Sequence, residues 1–148
     1  MASGLDKYLK DMEEKLNASE VKVGFYGGNT YPDGTLISQV AAGNEYGDPA
    51  NNQPPRPFFR NAISEHKEEW VATMAKGLEQ GSDVRTVLEV VGAQVKGDVQ
   101  ESIKNLMEPA LSPVTIERRR TRKERPNNST NPLVDTKEMF GDVSYEVK

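Results

Sequence analysis

The sequence predicts one α+β domain over residues 1–148: a small, mostly antiparallel β-sheet packed against two long α-helices, with extended loops. Three observations carry this. Val21, Val23 and Phe25 alternate with Lys22, Gly24 and Tyr26, and Val143, Tyr145 and Val147 alternate with Ser144 and Glu146, the period of two that marks a strand. Between them run two apolar stripes at helical spacing: Phe59, Ile63, His66, Trp70, Met74 and Leu78, then Val84, Val87, Leu88, Val91, Val95, Val99, Ile103 and Leu106. The connecting stretches are dense in Gly, Pro, Asn and Asp, residues that make turns.

Taken in order, Leu5, Tyr8, Leu9, Met12 and Leu16 recur as one face of an amphipathic helix over about Leu5–Asn17, within an N-terminal helical region spanning residues 1–20. The first strand follows, then a turn-rich loop, Gly27–Thr35, whose Pro32-Asp33-Gly34 core suits a tight reversal. Leu36, Ile37, Val40 and Ala41 begin a short helix that Gly43 or Asn44 can stop, with the apolar pattern ending at Asn44-Glu45-Tyr46-Gly47. Pro54, Pro55 and Pro57 stiffen the lead-in to the first long helix, and Pro57 suits that helix's first turn, where its missing N–H costs nothing. Gly81 closes this helix and Ser82-Asp83 caps the next, in which Gly92 and Gly97 allow another element to approach closely.

Ser112-Pro113 signals a further short helix through Val114, Thr115 and Ile116 into an arginine cluster, and Asn127–Pro132 breaks it. Asp135 with Glu138 has capping-box character and opens one turn through Met139 and Phe140 to Gly141, before the last strand. The simplest sheet pairs Val21–Tyr26 with Val143–Val147, with an added hairpin, and lays both long helices on one face.

Composition narrows the function. No apolar run reaches the ~20 residues of a membrane span. The N-terminus lacks the basic start and apolar core of a signal peptide and reads as retained. With no cysteine there is no disulfide framework, thiolate metal site or cysteine nucleophile. His66 is the only histidine, so it reads as a packed or partly exposed side chain, not a zinc ligand or triad member. The glycines of Gly24–Gly28 lack the Lys-Ser/Thr of a phosphate loop, and Asp83, Glu89 and Asp98 fall on scattered helix faces, not in a nuclease cluster. The expectation is a protein that is no enzyme, with no catalytic, metal-binding or cofactor-binding residues.

Charge is uneven. Arg118, Arg119, Arg120, Arg122, Lys123 and Arg125, with one acid among them, give a local +5 in a flexible basic loop over residues 118–132. The net charge is −4, so the rest of the chain carries −9. Such a segment attracts an acidic neighbour, another copy of the chain or nucleic acid, but it has no interleaved aromatics for base stacking. Two other residues invite pairing. Glu45 suits either an ion pair between subunits or the capping of local amides, and Arg56, held between prolines, suits a structural or interfacial clasp. Phe58, Phe59 and Trp70 read as core, with an interface anchor as the lesser option.

Four motifs in order carry a resemblance: Asn44-Glu45-Tyr46-Gly47; Pro55-Arg56-Pro57-Phe58; Leu111-Ser112-Pro113 with Thr115; and Pro132-Leu133 with Asp135, Thr136, Tyr145 and Val147. Together, from about Val21 onward, they resemble the tail-completion or head–tail joining proteins of tailed bacteriophages. One departure is Lys137, where the family pattern has glycine after Asp-Thr.

The resemblance implies a virion structural protein of the neck, assembled in the host bacterial cytoplasm. It would form a ring, of six subunits in most of the family, that completes the tail and meets the head connector on one side and the tail tube or terminator on the other. DNA would pass through the lumen. A tail terminator that caps the tube is the near alternative, and a nucleic-acid-binding protein using residues 118–125 is the alternative from another class. The residues expected at interfaces are Asn44, Glu45, Tyr46, Arg56, Pro57, Phe58, Arg118, Arg119, Arg120, Arg122, Lys123 and Arg125.

Overall fold

Helix α1, Gly4–Lys15, starts at a capping box. The Asp6 amide donates to the Ser3 hydroxyl and the Ser3 amide to the Asp6 carboxylate, both at 3.1 Å. In the computed structural model the structure describes residues 3–26, 28–105, 117, 120, 121 and 138–148. The helix expected over Val114–Ile116, the break at Asn127–Pro132 and the cap at Asp135 lie outside these residues. So do Arg118, Arg119, Arg122, Lys123 and Arg125.

Strand β1, Val21–Phe25, pairs antiparallel with β2, Val143–Val147, from Val21↔Val147 to Phe25↔Val143. Glu20 and Lys148 extend the ladder by one further pair of backbone bonds. The sheet thus joins the two ends of the sequence pattern as expected. The added hairpin is not formed among the described residues: the Gly27–Thr35 loop is closed by one bridge, Thr30↔Leu36, and the following loop by another, Asp48↔Gln53. The turn inside the first of these follows its residues, with Gly34 at φ +89° and the Thr35 amide bonded to the Asp33 carboxylate.

Helix α2, Ile37–Tyr46, runs past Gly43 and Asn44 and ends at Gly47, φ +80°. Gly43 only tolerates a stop, whereas Gly47 requires one: a Cβ there would also sit 3.0–3.1 Å from the Pro55 nitrogen and the Gln53 carbonyl. A 3-10 turn, Pro49–Asn51, capped by Asp48, then leads to the proline segment. Helix α3, Phe58–Glu79, begins one residue after Pro57, which is its N-cap and not its first turn, and Gly81 at φ +85° follows its end.

Helix α4, Val84–Asn105, is the centre of the molecule. One face supplies Val87, Val91, Val95, Val99 and Ile103 to a core completed by Ile37, Ala41, Phe58, Ala62, Met139 and Val143. Helix α4 lies directly on the sheet and α3 packs on α4, reaching the sheet through the edge-on contact of Phe58 with Phe25. A two-stranded sheet is about 10 Å wide, room for the diameter of one helix. Gly92 permits this close approach, since a Cβ there would lie 2.6 Å from the Tyr145 ring and 2.9 Å from Val21; Gly97 faces open space. Helix α5, Glu138–Asp142, runs straight into β2 and sets Met139 under α2.

Candidate functional site

The first two motifs meet at the junction of α2 and α3. Helix α3 opens with amides that have no partner inside the helix, and Pro57 offers no side chain to cap them. Glu45, on the last turn of α2, does so from outside. Its carboxylate accepts from the Phe59 amide at 2.9 Å and the Arg60 amide at 3.0 Å, and from Arg60 Nε at 2.9 Å. Arg60 Nη2 also donates to the Glu45 carbonyl at 2.6 Å. Only 6% of Glu45 is exposed. Burying an anion this deeply is tolerable because helix-terminal amides and a guanidinium replace the lost water.

The same junction holds Asn44 and Arg56. The Asn44 side chain donates to Met139 Sδ at 3.7 Å and accepts from Gln53 Nε2 at 2.8 Å, while its carbonyl accepts from the Arg56 amide. Arg56 is 7% exposed and Phe58 only 1%. The Phe58 carbonyl accepts from the Ser102 hydroxyl at 2.6 Å, which ties the start of α3 to α4. Asn44, Glu45, Arg56 and Phe58 are therefore engaged within the chain and do not form an open surface. Glu45, which the sequence suits to an ion pair between subunits or to capping amides of its own turn, instead caps within the chain the amides of α3, 14 and 15 residues on. Pro57 is half-buried. Tyr46 is the member that faces out, 72% exposed, with the Arg60 guanidinium 5.3 Å above its ring. Arg60 is a residue that sequence reasoning missed; nothing in its spacing from Glu45 signals the pairing, which exists only once α2 and α3 turn on each other. Of the basic cluster, Arg120 alone is described, exposed and 3.6 Å from Glu117 one helical turn earlier.

A second group gathers where α3 crosses α4. His66 Nδ1 lies 3.2 Å from Glu69 Oε2 and 4.0 Å from Asp98 Oδ2, and Nε2 lies 3.9 Å from Glu65 Oε2. The imidazole stacks on Trp70, ring centres 6.4 Å apart, and Trp70 Nε1 donates to Asp98 Oδ2 at 2.6 Å. The hydrogen bond that the ring donates to Glu69, with the charges of Asp98, Glu69 and Glu65, holds the His66 pKa above its ordinary value against the opposing effect of burial. Sequence spacing placed His66 and Trp70 on one stripe, and Trp70 is half-buried beside the core. Their carboxylate neighbour comes from another helix, which periodicity along one helix does not reveal.

A third feature is what α1 leaves uncovered. Leu5, Tyr8, Leu9, Met12 and Leu16 line one face, all are exposed, and no residue of α1 is buried. Among the described residues the chain is fastened just after the helix, at Asn17. Asn17 Nδ2 donates to Asp83 Oδ2 at 2.9 Å and Asn17 Oδ1 accepts from the Arg85 amide at 2.9 Å. The Asp83 carboxyl is held down to about 2 by these bonds, those from the Thr86 hydroxyl first, then Asn17, then the Thr86 amide.

Comparison with protein-family models, with curated proteins and with solved structures finds no match to this chain.

Proposed function

We propose that this chain is a structural subunit of the neck of a tailed bacteriophage, forming a ring that completes the tail and joins it to the head connector. The observation that carries the proposal is the convergence of separate motifs. Asn44–Gly47 and Pro55–Phe58 meet at the α2–α3 junction, where Met139, three residues after the last motif's Thr136, accepts from the Asn44 side chain. The role proposed is architectural: Glu45 holds the start of α3, and the Asn44 side chain bonds to Gln53 and Met139.

In this reading the junction is a brace, and the contact with a neighbouring subunit falls to what it holds outward, Tyr46 with Arg60 over it. The exposed apolar face of α1 supports self-association, because a stripe of five large apolar side chains in water favours a covered state. Completing the tail, as opposed to capping it as a terminator, follows the resemblance. The partners are further copies of the chain, the head connector, and the tail tube or terminator.

A cryo-EM reconstruction of the particle's neck tests this. A closed ring of this chain between connector and tube, with Tyr46 and Arg60 at subunit contacts, is the expected result. An absent ring, together with duplex binding by the isolated chain that falls steeply with salt, would overturn it in favour of a nucleic-acid-binding role.

A further inference from the structure

The crossing of α3 and α4 carries a second site. We propose that His66, Glu69 and Asp98 bind a divalent first-row transition cation, with zinc the natural occupant, clamping the two long helices together. Sequence reasoning argues against this, since His66 has no second histidine to work with. The structure supplies the missing ligands as carboxylates, Glu69 one turn along α3 and Asp98 from α4. One ligand atom from each of the three lies within 4.8 Å of the others. Among the described residues no other group of this kind occurs.

Three arguments raise this above a chance meeting of acids. The geometry is close to that of a bound ion: bonds of ~2.0–2.2 Å from imidazole nitrogen and carboxylate oxygen to zinc place neighbouring ligand atoms a little over 3 Å apart, and His66 Nδ1 is already 3.2 Å from Glu69 and 4.0 Å from Asp98. The ligands are also held. Trp70 Nε1 fixes one oxygen of Asp98 and the indole face supports the imidazole, so two of the three are oriented by a neighbour, the arrangement that tunes metal sites. The donor set discriminates as well. One imidazole with two carboxylates suits zinc, cobalt, nickel or copper, whereas magnesium and calcium prefer oxygen alone. Glu65 lies on the far ring nitrogen, where it steadies the ring and adds to the negative field. Three protein ligands leave the remaining position to solvent.

The chain contains its own reporter. It has one histidine, one tryptophan and no cysteine, and the tryptophan is stacked on the histidine. Copper(II) added to the full-length chain should quench Trp70 fluorescence in a saturating curve, zinc should reverse the quenching by competition, and magnesium should do neither. Zinc should also raise the melting temperature in proportion to the logarithm of its concentration. His66→Ala should abolish both effects, and Trp70→Phe, which removes the donor to Asp98, should weaken zinc binding by about tenfold in calorimetry. Should His66→Ala fail to fold, Glu69→Gln at an exposed position provides the same test through weakened zinc binding. Quenching that never saturates, or that survives His66→Ala in a folded protein, would overturn the site.

Discussion

The α2–α3 junction and helix α1 invert the usual arrangement of polar and apolar groups. The junction buries an asparagine, a glutamate and an arginine, while α1 exposes two leucines, a tyrosine and a methionine along Leu5–Met12, with Leu16 just beyond it. The first inversion is stable because hydrogen bonds given up to water are replaced: Glu45 has three donors on its carboxylate, and Asn44 has partners for both its side-chain NH2 and its side-chain oxygen. The second lacks any such compensation. A helix of 12 residues has marginal stability in water by itself, and among the described residues its supports are its capping box and the Asn17 fastening. The contrast separates a part of the fold that is complete in one chain from a part that is not.

That contrast can be broken or sharpened experimentally, and the largest effects belong to the junction. Phe58→Ala empties a fully buried position shared by α3, α4 and β1 and should lower the unfolding free energy by about 3–5 kcal/mol, read as a shift of the urea midpoint. Glu45→Ala strips the caps from α3 and leaves two amides and Arg60 without their acceptor. A loss of about 2–3 kcal/mol is expected, with Glu45→Gln recovering part of it by retaining one oxygen acceptor. An unchanged midpoint in Glu45→Ala would show that the junction is not a brace.

Asp83 tests the cap of α4, through Thr86, together with the fastening of the segment after α1, through Asn17. Its folded pKa is lowered from 3.8 to about 2, so its contribution to stability is fully present above the unfolded value and is lost as pH falls from about 4 toward 2. The difference in urea midpoint between the natural chain and Asp83→Asn should therefore be constant at pH 5 and above and shrink toward pH 2. A difference independent of pH would show that the carboxylate's charge is irrelevant there. The smallest effect on the single chain is expected from α1 itself. Leu9→Ser with Met12→Ser should move the midpoint by no more than about 0.5 kcal/mol, as for other exposed positions, while reducing assembly of the ring if α1 is covered there. A large loss of monomer stability would mean that α1 already packs on the body.

Much of the fold was legible because it depends on local spacing. The period of two at Val21–Phe25 and Val143–Val147, the helical stripe from Val84 to Ile103, and the stop at Gly81 all depend on side-chain alternation or backbone freedom that neighbouring residues display. The stop of α2, by contrast, falls at Gly47 and not at Gly43 or Asn44. The junction was legible only as a list of its members. Asn44, Glu45, Arg56 and Phe58 stood out, yet their shared role as an internal clasp did not, and Arg60 went unseen.

By itself the sequence determined the two strands, the two long helices and their order, the pairing of the first strand with the last, and which face of α4 is buried. Those follow from periodicity and from the limits that Gly and Pro place on the chain. Only the tertiary structure decided that α4 is the long helix lying directly on the narrow sheet, that Glu45 caps a helix 14 residues away, and that His66 meets Asp98 across two helices. The reason is physical. Hydrogen bonds and ion contacts act over a few ångströms in space, and distance along the chain says nothing about them until packing of the apolar faces has set the angles between helices.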